Sequence, residues 1–289
     1  MADCFLREDL AGGKLAGGDS AGDLLHWAVA VADRAPAEAV YRHREGRRTL
    51  RFEHGARGFF LKLHGGIGWG EIFKNLSQGR LPVVSAANEY RAVTALQRIG
   101  VDTLSVAAYA CRGRNPAALQ SMIVTDELVG TVSLEDYCAN WAAQPPPFAL
   151  RVRLLRKLAD SARRMHAAGI NHRDFYLCHF HLDESSLGRG PLRCYLIDLH
   201  RAQLRRCTPR RWRVKDLAGL YFSAMDCGLG RRDLLRFMRH YSAGGLRQAL
   251  GEEAALWRQV EGRARALYRK GVPVEGVAPG RAGVETDAH

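Results

Sequence analysis

The sequence predicts an α+β protein with a strand-rich first part and a helical second part. Extended stretches separated by glycines run through residues 38–64, and helical periodicity takes over after residue 130. The chain has 289 residues, of which 47% are hydrophobic, enough to bury a sizeable core. At about 150 residues per domain, this length favours two lobes. We expect a first lobe at 1–130, a second at 131–271, and a disordered tail at 272–289, which is rich in Gly, Pro and Val without periodicity.

The first lobe reads as an antiparallel meander followed by a helix. Turns at Gly46 and at Gly55 and Gly58 divide residues 38–64 into three extended stretches. Residues 85–101 have helical spacing, with Asn88 near the start and Gly100 near the end. The stretches TLSVAAYACRG and SMIVTDEL are typical of strands. The prediction is a sheet of about five strands with one helix inserted after the third.

The second lobe is predicted to be mainly helical. The segment RVRLLRKLADSARRMHAAGI carries one apolar stripe, which is typical of a helix packed on a core. Further helices are expected in SLEDYCANWAAQ and at about 216–226, 231–242 and 246–270.

Charge and cysteine content narrow the function classes. With 43 Lys plus Arg against 30 Asp plus Glu, the formal net charge is +13, which favours an anionic partner such as nucleic acid, a membrane surface, a phosphorylated substrate or an acidic protein. Seven scattered cysteines without a CxxC spacing fit a reduced cytoplasmic compartment and indicate neither a zinc site nor a disulfide framework. The longest nearly apolar run, residues 24–32, is about half the length that spans a bilayer. We therefore expect any membrane contact to be peripheral.

Two stretches carry the chemistry. GINHRDFYLCHF at 169–180 places His172, Arg173 and Asp174 just after a helical run, and YLIDLH at 195–200 places Asp198 at the end of a short apolar strand. Together they resemble the catalytic loop and the metal-binding strand of the protein-kinase-like superfamily. In the same way, Lys62 in GFFLKLH resembles the phosphate-binding lysine, and its partner glutamate corresponds to Glu89 on the next helix. The resemblance implies a bilobal protein-kinase-like fold.

This resemblance implies a role for each charged residue in phosphoryl transfer, which needs positioning and neutralisation of phosphate charge. Lys62 holds the α- and β-phosphates of ATP, Glu89 orients Lys62, and Asp198 binds Mg²⁺ through carboxylate oxygen. Asp174 is the catalytic base, which accepts or orients the proton of the acceptor hydroxyl. Each residue also has an ordinary structural alternative: a surface strand lysine, a solvated helix glutamate or a turn aspartate.

Three further residues are assigned to the nucleotide. Gly46 lies where the superfamily carries its glycine-rich loop, and that loop is reduced here to REGRRT. Glu127 and Leu128 follow the last predicted strand of the first lobe.

The chain also resembles a narrower group, the lipopolysaccharide core heptose kinase family. The stretches EGRRTLRF, FLKLHGGIGWGEIFKNL, NHRDFYLCHF, IDLHRAQ and TPRRWRVKDLAGLYFSA carry this resemblance over about residues 38–270. It implies ATP-dependent phosphorylation of heptose I at O4 in the lipopolysaccharide inner core. The acceptor is the lipid A-core glycolipid, which implies a peripheral enzyme at the cytoplasmic face of the inner membrane. The family also implies an acidic partner such as acyl carrier protein.

The sequence departs from the general kinase pattern at two positions. His179 stands where a metal-binding Asn is usual, and imidazole is a poorer Mg²⁺ ligand than an amide oxygen. His179 is therefore a metal-ligand candidate that can equally serve elsewhere. His200 replaces the Gly of Asp-Phe-Gly.

The segment from Arg201 to Lys215 contains seven basic residues and no acidic one. We assign Arg205, Arg206, Arg210 and Arg211 to acceptor binding, with a solvated loop or a nucleic-acid patch as the alternatives. Trp212 is either a core anchor or a stacking platform for a sugar. Asp216 resembles the aspartate that braces the catalytic loop.

The stretch GGIGWGEIFKNL, residues 65–76, follows the strand of Lys62. We interpret it as a family-specific loop that touches nucleotide or acceptor through Glu71 and Lys74, or else as a surface insertion.

Other functions remain open from the sequence. A protein kinase or another small-molecule kinase of the same fold is the nearest alternative, and a pseudokinase scaffold is suggested by His179 and the reduced glycine loop. A nucleic-acid-binding protein would use the +13 charge, but interleaved aromatic residues and a docking motif are missing. We expect no nucleic-acid partner.

Overall fold

The computed structural model describes residues 3–11, 18, 20–44, 46–78, 82–188 and 190–271. The tail predicted at 272–289 lies outside the described residues. The chain divides into two compact units. The first consists of the described residues of 1–129 together with Asp198–Ala202, and the second of the described residues of 130–197 and of those from Gln203 onward.

The elements of the first unit are β1 (Asp3–Leu6), α1 (Glu8–Ala11), α2 (Ala21–Arg34), β2 (Val40–Arg44), β3 (Arg47–His54), β4 (Arg57–His64), α3 (Gly68–Ser77), α4 (Ala87–Arg98), β5 (Val106–Arg112) and β6 (Gln120–Asp126). Among the described residues, its six strands form one antiparallel sheet in the order β1-β5-β6-β4-β3-β2.

Side chains along strand β4 alternate between the core and the other face of the sheet. Phe59 and Leu61 are fully buried in the core that α2 covers with Leu24 and Ala28. Because successive side chains of a strand point to opposite faces, Lys62 points away from this core. In register, Lys62 lies opposite Thr49 of β3 and Ile123 of β6. The lysine is therefore held in the middle of the sheet.

The antiparallel meander predicted for residues 38–64 is present as β2, β3 and β4. The unit contains more regular structure than expected, because β1, α2 and α3 accompany the predicted helix α4. Helix α2 begins after Ser20, whose side chain accepts a hydrogen bond from the Asp23 backbone N–H. Its residues Leu24 and Ala28 have the i, i+4 spacing that a helix needs to cover a sheet.

The second unit combines helices with short strands. Its elements are β7 (Thr131–Ser133), α5 (Leu134–Tyr137), α6 (Phe148–Ala167), β8 (Ile170–Asn171), β9 (Phe180–Asp183), β10 (Cys194–Leu196), β11 (Gln203–Leu204), α7 (Arg210–Ser223), α8 (Arg231–Tyr241), α9 (Gly245–Leu250) and α10 (Ala254–Arg269). Strands β10, β9 and β7 form one small antiparallel sheet, and β11 pairs with β8.

Helix boundaries differ from the prediction at several places, and the helix predicted in SLEDYCANWAAQ is limited to the single turn α5. Helix α7 begins at Arg210 rather than near residue 216, because the basic stretch after Pro209 enters the helix instead of forming a loop. The helix predicted at 246–270 is divided into α9 and α10 at Gly251. The α+β class is confirmed.

Strand β8 leads directly into the His-Arg-Asp stretch. Gly169, the residue before β8, has a φ of +79°, and a Cβ at this position would collide with the Arg205 carbonyl. The Arg205 N–H donates to the Gly169 carbonyl at 2.9 Å. Glycine is therefore required where the chain turns from α6 into β8.

Candidate active site

Lys62 and Glu89 form an ion pair in the first unit. The Nζ of Lys62 lies 2.6 Å from Oε1 of Glu89, whose side chain is 1% exposed. Strand β4 supplies the lysine and the first turn of α4 supplies the glutamate. The Oε2 of Glu89 has no hydrogen-bond partner among the described residues. A buried carboxylate that depends on one cation fixes the position of that cation.

Asp198 belongs to the same unit as this pair. Its backbone is left-handed, with φ 58° and ψ 53°, which is uncommon outside glycine. Its carboxylate accepts a hydrogen bond from Nδ1 of His200 at 2.5 Å, and its Oδ1 lies 3.8 Å from Nζ of Lys62. Lys62 therefore contacts one carboxylate directly and stands close to a second.

Asn88 holds the segment that carries Asp198, a role that sequence reasoning missed. Its Nδ2 donates to the carbonyls of His200 and Ala202, at 2.8 and 2.7 Å. Because Asn88 precedes Glu89 on α4, two adjacent residues fix both Lys62 and the 198–202 segment. From the sequence, Asn88 was recognisable only as a residue near the helix start.

The carboxylate of Asp198 fits the kind of ligand that Mg²⁺ takes. Mg²⁺ prefers hard oxygen ligands and is usually bound through one or two carboxylates, waters and substrate phosphates. The Asp198 side chain is 30% exposed, so its oxygens are accessible from solvent. Among the described residues, no group of three or more His, Cys, Asp or Glu is placed to hold a metal ion.

Asp216 braces the His-Arg-Asp stretch in the second unit. Its carboxylate is fully buried and accepts the backbone N–H groups of His172 and Arg173, at 2.7 and 2.9 Å. Arg173 has a φ of +80°, a strained conformation for a residue with a side chain. The two hydrogen bonds stabilise this conformation and so fix the backbone just before Asp174.

A buried network extends from Asp216 into the helices. His166 of α6 lies with Nε2 3.3 Å from Oδ2 of Asp216 and with Nδ1 2.9 Å from the hydroxyl of Tyr241. That hydroxyl also accepts from Nε of Arg213 at 2.8 Å. Burial raises the pKa of Tyr241 to about 12. The phenol therefore stays neutral at physiological pH.

His179 lies beside the backbone of Asp174 in the second unit. Its Nδ1 donates to the Asp174 carbonyl at 2.7 Å, and its ring stacks at 5.7 Å from that of His172. Since Nδ1 carries the donated proton, only Nε2 retains a lone pair for a metal ion. The role of His179 as a metal ligand stays a prediction, whereas its contact with the Asp174 backbone is a structural fact.

Four cations surround the indole of Trp212. The charged groups of Arg173, Arg205, Arg211 and Lys215 lie 5.4–5.7 Å from its ring centroid. Trp212 thus makes cation–π contacts with four neighbouring side chains, and the two roles expected from the sequence stay predictions. It gathers part of the basic segment around Arg173, the residue that precedes Asp174.

The predicted acceptor-binding arginines differ in their surroundings. Arg206, Arg210 and Arg211 are exposed. Arg205 is half-buried, and its guanidinium donates to Oδ1 of Asn171 and Oε1 of Gln203, thereby joining the two strands β8 and β11. The structure gives Arg205 a structural role that the sequence did not reveal.

The remaining nucleotide candidates lie in the first unit. Gly46 has a φ of +70°, and a Cβ there would lie 2.6 Å from the Gly66 carbonyl oxygen, so glycine is sterically required. The carboxylate of Glu127 accepts two hydrogen bonds from Arg51, at 2.8 and 2.9 Å. The Glu127 side chain is therefore engaged with β3. Leu128 is half-buried.

The first unit has an antiparallel sheet with a buried Lys–Glu pair. The second unit is helical and has a His-Arg-Asp stretch whose backbone is held by Asp216. These are the features of a protein-kinase-like phosphotransferase. The model of the lipopolysaccharide kinase (Kdo/WaaP) family matches residues 33–241. The chain therefore belongs to this family, and it is a kinase.

Curated relatives and a solved structure agree with the assignment. The chain is 50% identical over 232 residues to the lipopolysaccharide core heptose(I) kinase WaaP of Pseudomonas aeruginosa, covering 80% of this chain and 87% of that protein. It is 47% identical to the protein of the same name from Escherichia coli, covering 80% and 88%. A solved structure of WaaP in complex with acyl carrier protein matches with a TM-score of 0.74 and 40% identity, covering 92% of this chain and 99% of that one.

None of the described helices combines the length and hydrophobicity that a membrane-spanning segment requires.

Proposed function

We propose that this kinase transfers the γ-phosphoryl group of ATP to O4 of heptose I in the lipopolysaccharide inner core. The observation that carries the proposal is the 2.6 Å pair of Lys62 with buried Glu89, with Asp198 3.8 Å from the same Nζ. This arrangement positions one cation for phosphate oxygens and one carboxylate for a metal. Relatives at 46–50% identity carry the name of heptose(I) kinase, which supports the acceptor.

In the proposed reaction Lys62 binds the α- and β-phosphates, and Glu89 keeps its side chain in place. Asp198 would hold Mg²⁺, which when bound neutralises phosphate charge and orients the γ-phosphoryl group. Asn88 keeps the Asp198 segment fixed by its two hydrogen bonds. Gly46 and the main chain at Glu127 and Leu128 complete the nucleotide-binding residues.

Asp174 is proposed as the residue that accepts the proton of the acceptor hydroxyl. Its main chain is fixed from two directions, by the Asp216 bonds to the preceding residues and by the His179 bond to its own carbonyl. A carboxylate on such a fixed loop can keep hydrogen-bond distance to a hydroxyl without reorganisation. Asp174 therefore acts as base and orienting group.

The basic segment is proposed to bind the acidic groups of the lipid A-core acceptor. Arg206, Arg210 and Arg211 are exposed, and the Trp212 ring gathers further cations around Arg173. Inner-core sugars carry carboxylates and lipid A carries phosphates, which are groups that guanidinium binds in bidentate fashion. Arg205 stabilises this surface through its hydrogen bonds to Asn171 of β8 and Gln203 of β11.

Acyl carrier protein is proposed as a partner, because a solved structure of WaaP contains it. The second unit contains a partly open cavity of about 690 Å³ whose lining is mostly apolar and includes Leu154, Leu220 and Trp257. A cavity of this size and chemistry suits an acyl chain. Native mass spectrometry with acylated and unacylated carrier protein tests this, and the acylated form should bind more tightly. Equal binding of both forms would mean that the carrier protein is a partner but that the cavity does not take its acyl chain.

The phosphotransfer itself is tested by incubating purified core glycolipid with ATP, Mg²⁺ and the protein, followed by mass spectrometry. One added phosphate is expected, located by fragmentation or NMR at O4 of heptose I. The Asp174→Asn variant should give no product while retaining the wild-type unfolding midpoint. An unmodified glycolipid with continued nucleotide binding would instead identify a pseudokinase, and phosphate at another position would correct the O4 assignment.

A further inference from the structure

Helix α3 exposes an apolar face. Trp69, Phe73 and Leu76 are 50%, 63% and 49% exposed, which is unusual for side chains of this size. Their spacing of four and three residues places them on one side of the helix. The rings of Trp69 and Phe73 stack with centroids 5.8 Å apart, so the two form one continuous patch.

The side of α3 next to this face is attached to the first unit. Ile72 is 5% exposed, and α3 packs against the turn Pro116–Ala118. Gly66, just before the helix, lies so close to this turn that a Cβ would be 2.8 Å from the Ala117 carbonyl oxygen. Helix α3 is thus attached along the Ile72 edge of its apolar face, and Trp69, Phe73 and Leu76 stay exposed.

Exposed basic residues lie on α3 and on the chain next to it. Lys74 on α3 is 63% exposed, and Arg112 and Arg114 are exposed on the chain that leads into Pro116–Ala118. The acidic residue of α3, Glu71, is half-buried, and its carboxylate accepts hydrogen bonds from Asn75 at 2.8 Å and Lys74 at 3.2 Å. The positive charges are therefore the ones presented to solvent.

We propose that α3 docks this kinase onto an anionic lipid bilayer, with Trp69, Phe73 and Leu76 inserted at the interface and Lys74, Arg112 and Arg114 facing lipid headgroups. Large aromatic and aliphatic side chains on one side of a helix, flanked by Lys and Arg, are the features of interfacial helices. The net charge of +13 attracts an anionic surface and opposes a second copy of the same chain.

This inference deepens the proposed function, because an enzyme for a lipid-linked acceptor must reach the membrane surface. It assigns that contact to the stretch 65–76, for which the sequence offered either a loop touching nucleotide or acceptor or a surface insertion. A peripheral helix of ten residues also agrees with a chain whose described helices do not span a bilayer.

The test is vesicle sedimentation with the full-length protein and vesicles of phosphatidylcholine containing phosphatidylglycerol. Trp69→Ser combined with Phe73→Ser should lower the vesicle partition coefficient about tenfold or more, since two half-exposed side chains lose their burial in lipid. Val29→Ser, which removes an exposed apolar residue of α2, is the matched control and should bind like wild type. Lys74→Gln combined with Arg114→Gln should weaken binding to anionic vesicles.

A spectroscopic readout locates the contact. Brominated phospholipids should quench tryptophan fluorescence of the wild type, and most of this quenching should be lost in Trp69→Phe while vesicle binding persists. Unchanged partition of the double serine variant would overturn the proposal. So would a loss of self-association or of carrier-protein binding in that variant without a change in vesicle binding.

The two proposals can be separated with a delipidated core oligosaccharide as acceptor. The double serine variant should phosphorylate it at the wild-type rate, because α3 serves the membrane and not the reaction. Loss of activity on this soluble acceptor would place α3 in the active site and overturn the docking role. Failure of wild type on both acceptors, with normal vesicle binding, would contradict only the heptose kinase proposal.

Discussion

The Nζ of Lys62 lies 2.6 Å from Oε1 of Glu89, and the glutamate is 1% exposed while the lysine is 23% exposed. The pair is therefore asymmetric: the anion is confined and the cation reaches toward solvent. Removing the lysine leaves the buried Glu89 carboxylate without its ion-pair cation. Removing both side-chain charges leaves no buried carboxylate to be neutralised. This asymmetry separates the structural part of the pair from its role in phosphate binding.

We predict that Lys62→Met lowers the free energy of unfolding by about 3 kcal/mol, the usual cost of breaking a buried ion pair from one side. Lys62→Met combined with Glu89→Leu should recover most of that loss. Both variants should be inactive, because the phosphate-binding cation is gone. Urea denaturation and phosphate transfer assays measure the two effects, and a double variant no more stable than the single one would contradict the argument.

A second prediction concerns Asn88. Asn88→Ala removes the amide that donates hydrogen bonds to two carbonyls, so it should lower the free energy of unfolding by about 1–3 kcal/mol. Because the freed segment carries Asp198, the KM for ATP should rise and kcat should fall, whereas the KM for the glycolipid should stay the same. Thr94→Ala, on the same helix with its hydroxyl bonded to the Tyr90 carbonyl, is the control. Equal effects of the two variants would mean that Asn88 serves only the helix.

The residues that sequence reasoning points to are those in local motifs that resemble the protein-kinase-like superfamily. The resemblance places Lys62 in a strand, Glu89 on the next helix and Asp198 at a strand end, and their roles in the reaction stay predictions. Asn88 and His166 escaped because their partners lie far along the chain, 112 and 75 residues away for His200 and Tyr241. Tertiary hydrogen bonds of this kind leave no periodic pattern.

Helix α3 shows a different limit. Helical spacing is present in Trp69, Ile72, Phe73 and Leu76, yet four glycines in residues 65–70 lower the helix propensity of its start. The sequence therefore predicts a loop or a surface insertion here. Packing of Ile72 against the first unit overrides this propensity. A surface helix usually buries its apolar residues, so the sequence pattern alone does not reveal that these side chains are exposed. Their exposure is seen only in the folded structure.

The hydrogen bonds of the Tyr241 hydroxyl give a third prediction. Tyr241→Phe leaves His166 and Arg213 without that partner and should lower the free energy of unfolding by about 1–3 kcal/mol. Because His166 contacts Asp216, which braces the catalytic loop, kcat should fall while the KM for ATP stays unchanged. Tyr268→Phe, whose hydroxyl bonds Asp226 at the surface, is the matched control and should be nearly silent. An unaltered kcat in Tyr241→Phe would confine the network to stability.

Acid stability should depend on His64. Burial, with further contributions from Arg47, Lys62 and His200, lowers the pKa of His64 from 6.5 to about 3. The unfolded chain therefore binds a proton below pH 6.5 that the folded chain does not, and stability present above that pH is lost as the pH falls toward 3. At pH 5 the loss is about 2 kcal/mol.

Urea denaturation at pH 8 and pH 5 measures this difference. His64→Leu should reduce the loss of stability between the two pH values, whereas His26→Leu, an exposed position on α2, should not. Burial also lowers the pKa of His181 and of His240, so part of the pH dependence should persist in the single variant. An unchanged slope in His64→Leu would contradict the assignment.

Substitutions in the basic segment can distinguish a loss of acceptor binding from a loss of stability. Arg205→Ala breaks hydrogen bonds to Asn171 and Gln203, so it should lower the unfolding midpoint. Replacing Arg206, Arg210 and Arg211 together by Gln leaves these bonds intact, and this triple variant should raise the KM for the glycolipid far more than that for ATP. Since exposed charges are screened over about 8 Å at physiological ionic strength, high salt should remove most of the wild-type advantage. An unchanged glycolipid KM at low salt would return the three arginines to a solvated surface, and equal losses for both substrates would indicate a general defect in the second unit.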